Sequence, residues 1–366
     1  MKNLLVIAAL AVCVSGYAQL TVPPDGGNKK AFVGERIGIT DVTISYNRPG
    51  VKGREGQVWG KLVGYGFNDL GFGTSKAAPW RAGANENTFI DFSTDVKIEG
   101  KDLPAGKYGF FIAVDSLEST LIFSKNYTSW GSFFYNESED ALRVKVKNIC
   151  VNESAEWLKY EFTNQTPASA VINLAWEKWR IPFKVEVDLQ KLQLESFRKE
   201  LRTDKGFTWN AWNQAARYCL ENNINLEEGM QWAQKAVSAE FIGEANFATL
   251  STKALYLEKM GKAAEAENVM KQAMPYGNMN QIHNYARQLL AQKKAKAAQE
   301  IFKLNYDKYP NTFTTNMGMM RAHSATGNYK KALEFAQKAQ AQAPDSGNRV
   351  NIEKYIATLQ QGKDIN

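Results

Sequence analysis

Apolar positions along the 366-residue chain follow two rhythms, and the change falls near position 188. Before it, apolar and polar residues alternate in short runs closed by Gly, Pro, Asn and Asp, the pattern of half-buried strands. Ile37, Ile39, Val42, Ile44 and Tyr46 fit one strand with a one-residue slip near Asp41, expected to be a bulge or a break. Residues 89–98, 107–114, 120–124, 141–151, 156–163, 170–176 and 183–187 continue the series. The turn Leu103-Pro104-Ala105-Gly106 presets φ at Pro and admits positive φ at Gly. About eight short strands with no helical period between them predict an antiparallel sandwich or barrel, not βαβ units.

After position 188 the spacing becomes helical. Leu189, Leu192, Leu194, Phe197 and Leu201 open a helix that Thr203-Asp204-Lys205-Gly206 ends. Small residues then recur at Gly229, Ala266, Ala298 and Ala332, spaced 37, 32 and 34 residues apart. Each has an apolar or small residue four positions on, at Ala233, Met270, Phe302 and Ala336, and Pro310 and Pro344 fall at one repeat phase. That period and offset are the tetratricopeptide pattern of paired antiparallel helices, with about four pairs expected and the first degenerate, like a capping repeat. The predicted fold is α+β and multidomain: an N-terminal antiparallel β-sandwich followed by a C-terminal all-α tetratricopeptide-like helical array. The expected boundaries are 1–19 for a signal peptide, 20–35 for a flexible lead-in, 36–188 for the sandwich, 189–208 for a linking helix and 209–366 for the repeats.

The start of the chain reads as an export signal. Met1-Lys2 is followed by apolar residues from Leu4 to Val14, and Ser15-Gly16-Tyr17-Ala18 offers small residues at cleavage spacing before Gln19. The run is short of the roughly 20 apolar residues a membrane span requires, and no later stretch qualifies. Lipid attachment at Cys13 is the lesser alternative, because Val12 precedes it where a small residue is wanted. The expected location is the periplasm or the exterior. Cys150 and Cys219 fall on either side of position 188, and two buried, inert thiols are expected rather than a bridge.

The net charge is +7, and the surplus sits among the helices, where 189–366 holds 24 Lys and Arg against 17 Asp and Glu. Lysines at helix ends complement the last-turn carbonyls. With export expected, nucleic acid is excluded as a partner.

Candidate chemistry is sparse. The only histidines are His283 and His323, without Cys or carboxylates at ligand spacing, so no metal or other cofactor is expected. The strand region has no histidine, which excludes a Ser-His-Asp or Cys-His arrangement within it. The glycines of 64–73 lack a Gly-Lys-Ser/Thr ending and a following helix, so they read as a surface loop and not a phosphate cradle. Glu137, Glu139 and Asp140 read as a solvated turn.

The densest polar cluster is Trp80-Arg81-Ala82-Gly83-Ala84-Asn85-Glu86, just before a strand. One reading is structural: Arg81 and Glu86 form an ion pair, Asn85 satisfies the loop backbone and Trp80 plugs the core. The other is a ligand site. It brings Arg48, Lys52 and Arg54 to the same end, with Trp59 and Trp80 stacking a sugar or similar planar face while Arg81, Asn85 and Glu86 bind its polar edge.

Several of these motifs also carry a resemblance. Ser45-Tyr46-Asn47-Arg48-Pro49-Gly50-Val51-Lys52-Gly53-Arg54, Val58-Trp59-Gly60-Lys61-Leu62-Val63, the Trp80 to Glu86 run, Leu103-Pro104-Ala105-Gly106-Lys107-Tyr108 and Trp176-Glu177 with Ile181-Pro182-Phe183 resemble an exported bacterial family. It is catalogued as a domain of unknown function, number 2911. The resemblance covers residues 36–187 and implies envelope export and a β domain, often with a helical-repeat tail, but no catalytic set. Residues 66–78 look like an insertion relative to that family, placed to reshape or cover the motif. The functional expectation is a non-enzymatic binding protein of the cell envelope: a β ligand module that takes a glycan, and repeats that take a protein or peptide partner. The alternative is a carbohydrate-active or other hydrolase using carboxylates near the Trp80–Glu86 motif.

Overall fold

The computed structural model describes residues 27–366; the expected signal peptide and Cys13 lie outside them. The strands are β1 (Lys29–Ile37), β2 (Thr40–Arg48), β3 (Phe89–Phe92), β4 (Val96–Ile98), β5 (Lys101–Leu103), β6 (Gly106–Ala113), β7 (Glu118–Ser124), β8 (Asp140–Lys147), β9 (Ile149–Thr166) and β10 (Ser169–Glu186). They form two antiparallel sheets, ordered β1-β2-β3-β6-β7-β8 and β5-β4-β10-β9. The sheets share one core. Tyr46 meets Tyr160 edge-on at 4.7 Å, and Phe110 of one sheet lies 5.5 Å from Phe183 of the other. All four rings are buried, so the two inner faces interdigitate as in a sandwich.

Four expectations for this region are corrected. The slip near Asp41 is a hairpin turn: β1 and β2 pair from Lys29↔Arg48 to Ile37↔Thr40, and Gly38 takes φ +60°. Reversal of the chain there puts Ile37 and Thr40 on one face, which shifts the alternation by one. The lead-in is likewise shorter than expected, because residues 29–35 are ordered by pairing with β2. Residues 89–98 divide between sheets: β3 joins one and β4 the other, with Asp95 Oδ1 accepting the Ala105 N–H at 2.8 Å across the corner. Finally, 169–186 is one long strand. Register shifts at Ser169/Val171, Ala175/Glu177 and Glu177/Trp179 break its periodicity without ending its pairing with β9.

The helices are α1 (Leu189–Glu200), α2 (Trp209–Asn222), α3 (Leu226–Ser238), α4 (Phe247–Lys259), α5 (Ala263–Ala273), α6 (Met279–Ala291), α7 (Ala295–Lys308), α8 (Phe313–Ala325), α9 (Tyr329–Ala341) and α10 (Ser346–Gln360). The chain divides into two compact units between Gln193 and Leu194. Gly229, Ala266, Ala298 and Ala332 are all buried on the second helix of a pair, as are Ala233, Met270, Phe302 and Ala336 one turn on. Small side chains there let the paired helices approach closely.

The first helices carry a second repeat signal. Asn246, Asn278 and Thr312 each cap a helix in a reciprocal box, with Thr249, Gln281 and Thr315 returning the bond. Such caps are worth about 1 kcal/mol each. Trp212 and Trp232 are buried in the first helical core, and Met319 and Met320 in later ones, as packing residues. Cys219 is buried as expected; Cys150 is exposed on β9, and both are free thiols. Among the described residues no helix is long and apolar enough to cross a membrane.

Candidate functional site

The polar motif sits in the long connection from β2 to β3, which Val51, Val58 and Val63 anchor in the core. Trp59 is only 8% exposed. Its indole stacks on Trp179 at 4.9 Å and meets Trp80 and Trp176 edge-on, each at 5.6 Å. Trp80 lies nearly parallel to Trp176 at 5.9 Å and donates from Nε1 to the Gly83 carbonyl at 3.1 Å. The four indoles pack one another. Trp59 therefore has no open face to stack a sugar, contrary to the ligand reading of the sequence.

The cations are mostly spent on backbone. Arg48 Nε donates to the Leu158 carbonyl at 2.8 Å, while Arg54 donates from Nε and Nη2 to the carbonyls of Val51 and Gly50 at 2.9 and 2.8 Å. Lys52 is exposed at φ 51°, and its N–H donates to Glu156 Oε1 at 3.0 Å. Arg81 Nη1 donates to the Asn85 carbonyl at 2.7 Å, and the guanidinium lies 5.0 Å from the centre of the Phe133 ring. Burial pulls its pKa below the ordinary arginine value. Asn85 stands at φ 57°, and its Oδ1 accepts from Asn28 Nδ2 at 3.3 Å.

Glu86 does not pair with Arg81. Its Oε2 accepts from Asn47 Nδ2 at 2.7 Å and lies 3.5 Å from Lys30 Nζ. The left-handed turn at Asn85 presents a carbonyl to Arg81 where the sequence suggested a carboxylate. Two carboxylates that follow the motif in sequence also face donors: Asp91 lies 3.7 Å from Lys107 Nζ, and Asp95 holds the Ala105 amide.

A cluster that the sequence did not announce lies at the start of β8. Asp140, expected in a solvated turn, has a side chain only 8% exposed. Its Oδ2 accepts from Tyr135 Oη at 2.7 Å and Arg143 Nε at 2.6 Å, and Arg143 Nη2 donates to Tyr135 Oη at 2.6 Å. Desolvation raises both the Asp140 carboxyl and the Tyr135 phenol above their ordinary values. Phe67 of the 66–78 segment packs on this cluster, 5.4 Å from the Arg143 guanidinium and 6.5 Å from the Tyr135 ring, while Phe72 meets Phe133 edge-on at 5.5 Å. Phe67, Ser75, Lys76, Tyr135, Glu137 and Arg143 wall a hollow of about 520 Å³.

Two concavities of the helical unit lie along the first helices of the pairs. One, of about 600 Å³, runs across α2, α4 and α6 and is lined by Arg217, Phe247, Leu255, Glu258, Tyr285 and Gln288 among others. A second, of about 400 Å³, is formed by α6, α8 and α10 with His283, Arg287, Thr314, Arg321, Asn351 and Tyr355. Helix α6 with its capping residue Gln292 serves both: Gln281, Asn284, Tyr285, Gln288 and Gln292 line the first, and Asn280, His283 and Arg287 the second. Carboxamides thus recur at 280, 284, 288 and 292, one turn apart. That spacing was available in the sequence as a functional signal.

The histidines are packing groups in separate helices. His283 sits 5.3 Å from Phe302, and His323 stacks on Phe335 at 5.5 Å. Burial, helped by Arg287 and Arg321, holds the His283 imidazole down to about 4, and its Nδ1 has no partner among the described residues.

Residues 28–185 match the family described as "Protein of unknown function (DUF2911)". No curated protein matches the chain. Among solved structures, YrrB, described as "a TPR protein with an unusual peptide-binding site", is 18% identical over 45% of this chain and 83% of its own, with a TM-score of 0.32. MamA from Desulfovibrio magneticus is 14% identical over 42% of this chain and 93% of its own, with a TM-score of 0.29.

Proposed function

We propose that this chain, with a domain of the DUF2911 family over residues 28–185, is an exported, non-enzymatic protein of the cell envelope that binds an extended protein segment along its first-helix groove. The observation that carries the reading is the carboxamide row of α6 between two hollows. Each carboxamide offers donors and an acceptor, which complement the unpaired N–H and C=O groups of an extended chain. Leu255, 42% exposed, and Tyr285 add apolar area beside that row. Export is supported by the apolar run after Met1-Lys2 and the small residues before Gln19. The spent guanidiniums and enclosed indoles of the 48–86 region weigh toward the groove, not the β domain, as the principal binding surface.

The test is selection of displayed random dodecapeptides on the mature full chain. Recovered peptides are expected to bind wild type and to lose about tenfold in affinity with Leu255→Arg, because a charge replaces exposed apolar contact at the centre of the groove. Recovery of no binders, or equal binding by the variant, would contradict the reading. Sequencing the protein from a periplasmic fraction is expected to begin at Gln19 or Leu20, at the end of the 1–19 signal; an intact Met1 start would contradict export.

A further inference from the structure

The hollow formed by α6, α8 and α10 differs in charge from its neighbour. The first hollow carries Glu258 as well as Arg217, and Arg217 Nη2 is already bonded to Glu221 at 2.8 Å. The second is lined by Asn280, His283, Arg287, Phe313, Thr314, Met317, Arg321, Asn348, Asn351 and Tyr355, with two guanidiniums and no carboxylate. Arg321 is held in place without being neutralised: Nη2 donates to Tyr355 Oη at 3.0 Å, the guanidinium lies 5.1 Å from that ring's centre, and Nη1 donates to Asn366 Oδ1 at 3.3 Å. The nearby acid Asp345 is occupied in capping α10, accepting the Asn348 N–H at 2.8 Å and its Nδ2 at 2.7 Å.

We propose that this end of the groove selects an acidic stretch of the bound segment, seating an Asp or Glu carboxylate between Arg287 and Arg321. The inference rests on the groove reading above and adds the class of sequence that fills it. A fixed guanidinium facing an unfilled hollow favours a planar, two-oxygen anion. On an extended bound segment that anion is the side chain of an Asp or Glu. His283 is no third cation there: its Nδ1 is buried, 3.4 Å from where a β-carbon on Gly318 would stand, and burial together with the two arginines holds its imidazole below the ordinary value. The positive surplus of residues 189–366 steers such a segment toward the groove.

The experiment uses the same dodecapeptide selection on the full chain, run in parallel on wild type and on the Arg287→Gln/Arg321→Gln variant. Binders from wild type are expected to carry Asp and Glu at about twice the library frequency, and the variant's binders to show no such bias. The best acidic peptide is expected to lose about tenfold in affinity with either single Arg→Gln change and on replacement of its own Glu by Gln. In wild type its affinity falls as salt rises, and bound peptide raises the titration midpoint of the His283 ring protons seen by NMR; both readouts stand even if the double variant folds poorly. Binders without acidic bias and insensitive to these changes would overturn this proposal and leave the groove reading standing. An absence of binders would overturn both.

Discussion

A β-carbon added to Gly229 would lie 2.0 Å from the phenolic oxygen of Tyr256 and 2.9 Å from the Cys219 side chain. Tyr256 is fully buried, and its Oη donates to the Ala216 carbonyl at 2.7 Å, so the ring cannot withdraw without leaving that carbonyl unpaired. Here the first repeat closes on the second, and the degenerate small residue of the sequence pattern has its physical reason. Gly229→Ala is expected to destabilise the helical unit by about 1–3 kcal/mol, read as a lower denaturant midpoint. Adding Tyr256→Phe to that variant should recover part of the loss, whereas Tyr256→Phe alone destabilises; strictly additive effects would count against this contact.

The half-buried imidazole of His283 makes stability depend on pH. In the unfolded chain it titrates near 6.5, but in the folded protein near 4. Between those values the unfolded state binds a proton that the folded state does not. The contribution is therefore present in full above about pH 6.5 and lost as pH falls toward 4. The expected difference is about 2 kcal/mol, after discounting for the partial exposure of the ring. Denaturation of wild type and His283→Gln at pH 7.5 and 4.5 checks it, because the variant should lose less stability over that interval.

The indole cluster predicts a structural outcome for the sequence motif. Trp59→Ala leaves a hole among Trp80, Trp176 and Trp179 and is expected to cost about 3–5 kcal/mol. Urea unfolding followed by circular dichroism measures this. A variant as stable as wild type would contradict the enclosed placement.

Arg81 joins two loops through Asn85 and Phe133, and a β-carbon on Gly131 would meet its guanidinium at 2.4 Å. Arg81→Lys keeps the charge but loses the planar stack, with an expected cost of about 1–2 kcal/mol. Glu86→Gln, which keeps an acceptor for Asn47 and loses the half-exposed Lys30 pair, should cost less than about 1 kcal/mol. Thermal unfolding of the two variants should rank them in that order; the reverse order would restore the Arg81–Glu86 pair as the motif's main bond.

The two fold classes were legible because burial period is a local property: alternation in 107–114 and the small residues at 266, 298 and 332 need no knowledge of their partners. Pairing is not local. The reversal at Gly38 and the bulged continuity of β10 depend on which strand lies alongside. Trp59 looked available for a ligand because the indoles that enclose it, Trp176 and Trp179, arrive from β10, far along the chain. Asp140 looked solvated because Phe67, which packs on the Arg143 and Tyr135 side chains that bond it, comes from far along the chain. The capping boxes at Asn246, Asn278 and Thr312 and the α6 carboxamide row were local signals in plain sequence.

The groove itself is tested most directly by hydrogen–deuterium exchange of the full chain with and without a saturating selected peptide. Added protection is expected in the first helices, α4, α6 and α8, and in α10, with residues 48–88 unchanged. Protection confined to 48–88, or absent from α6, would contradict the assignment of the binding surface.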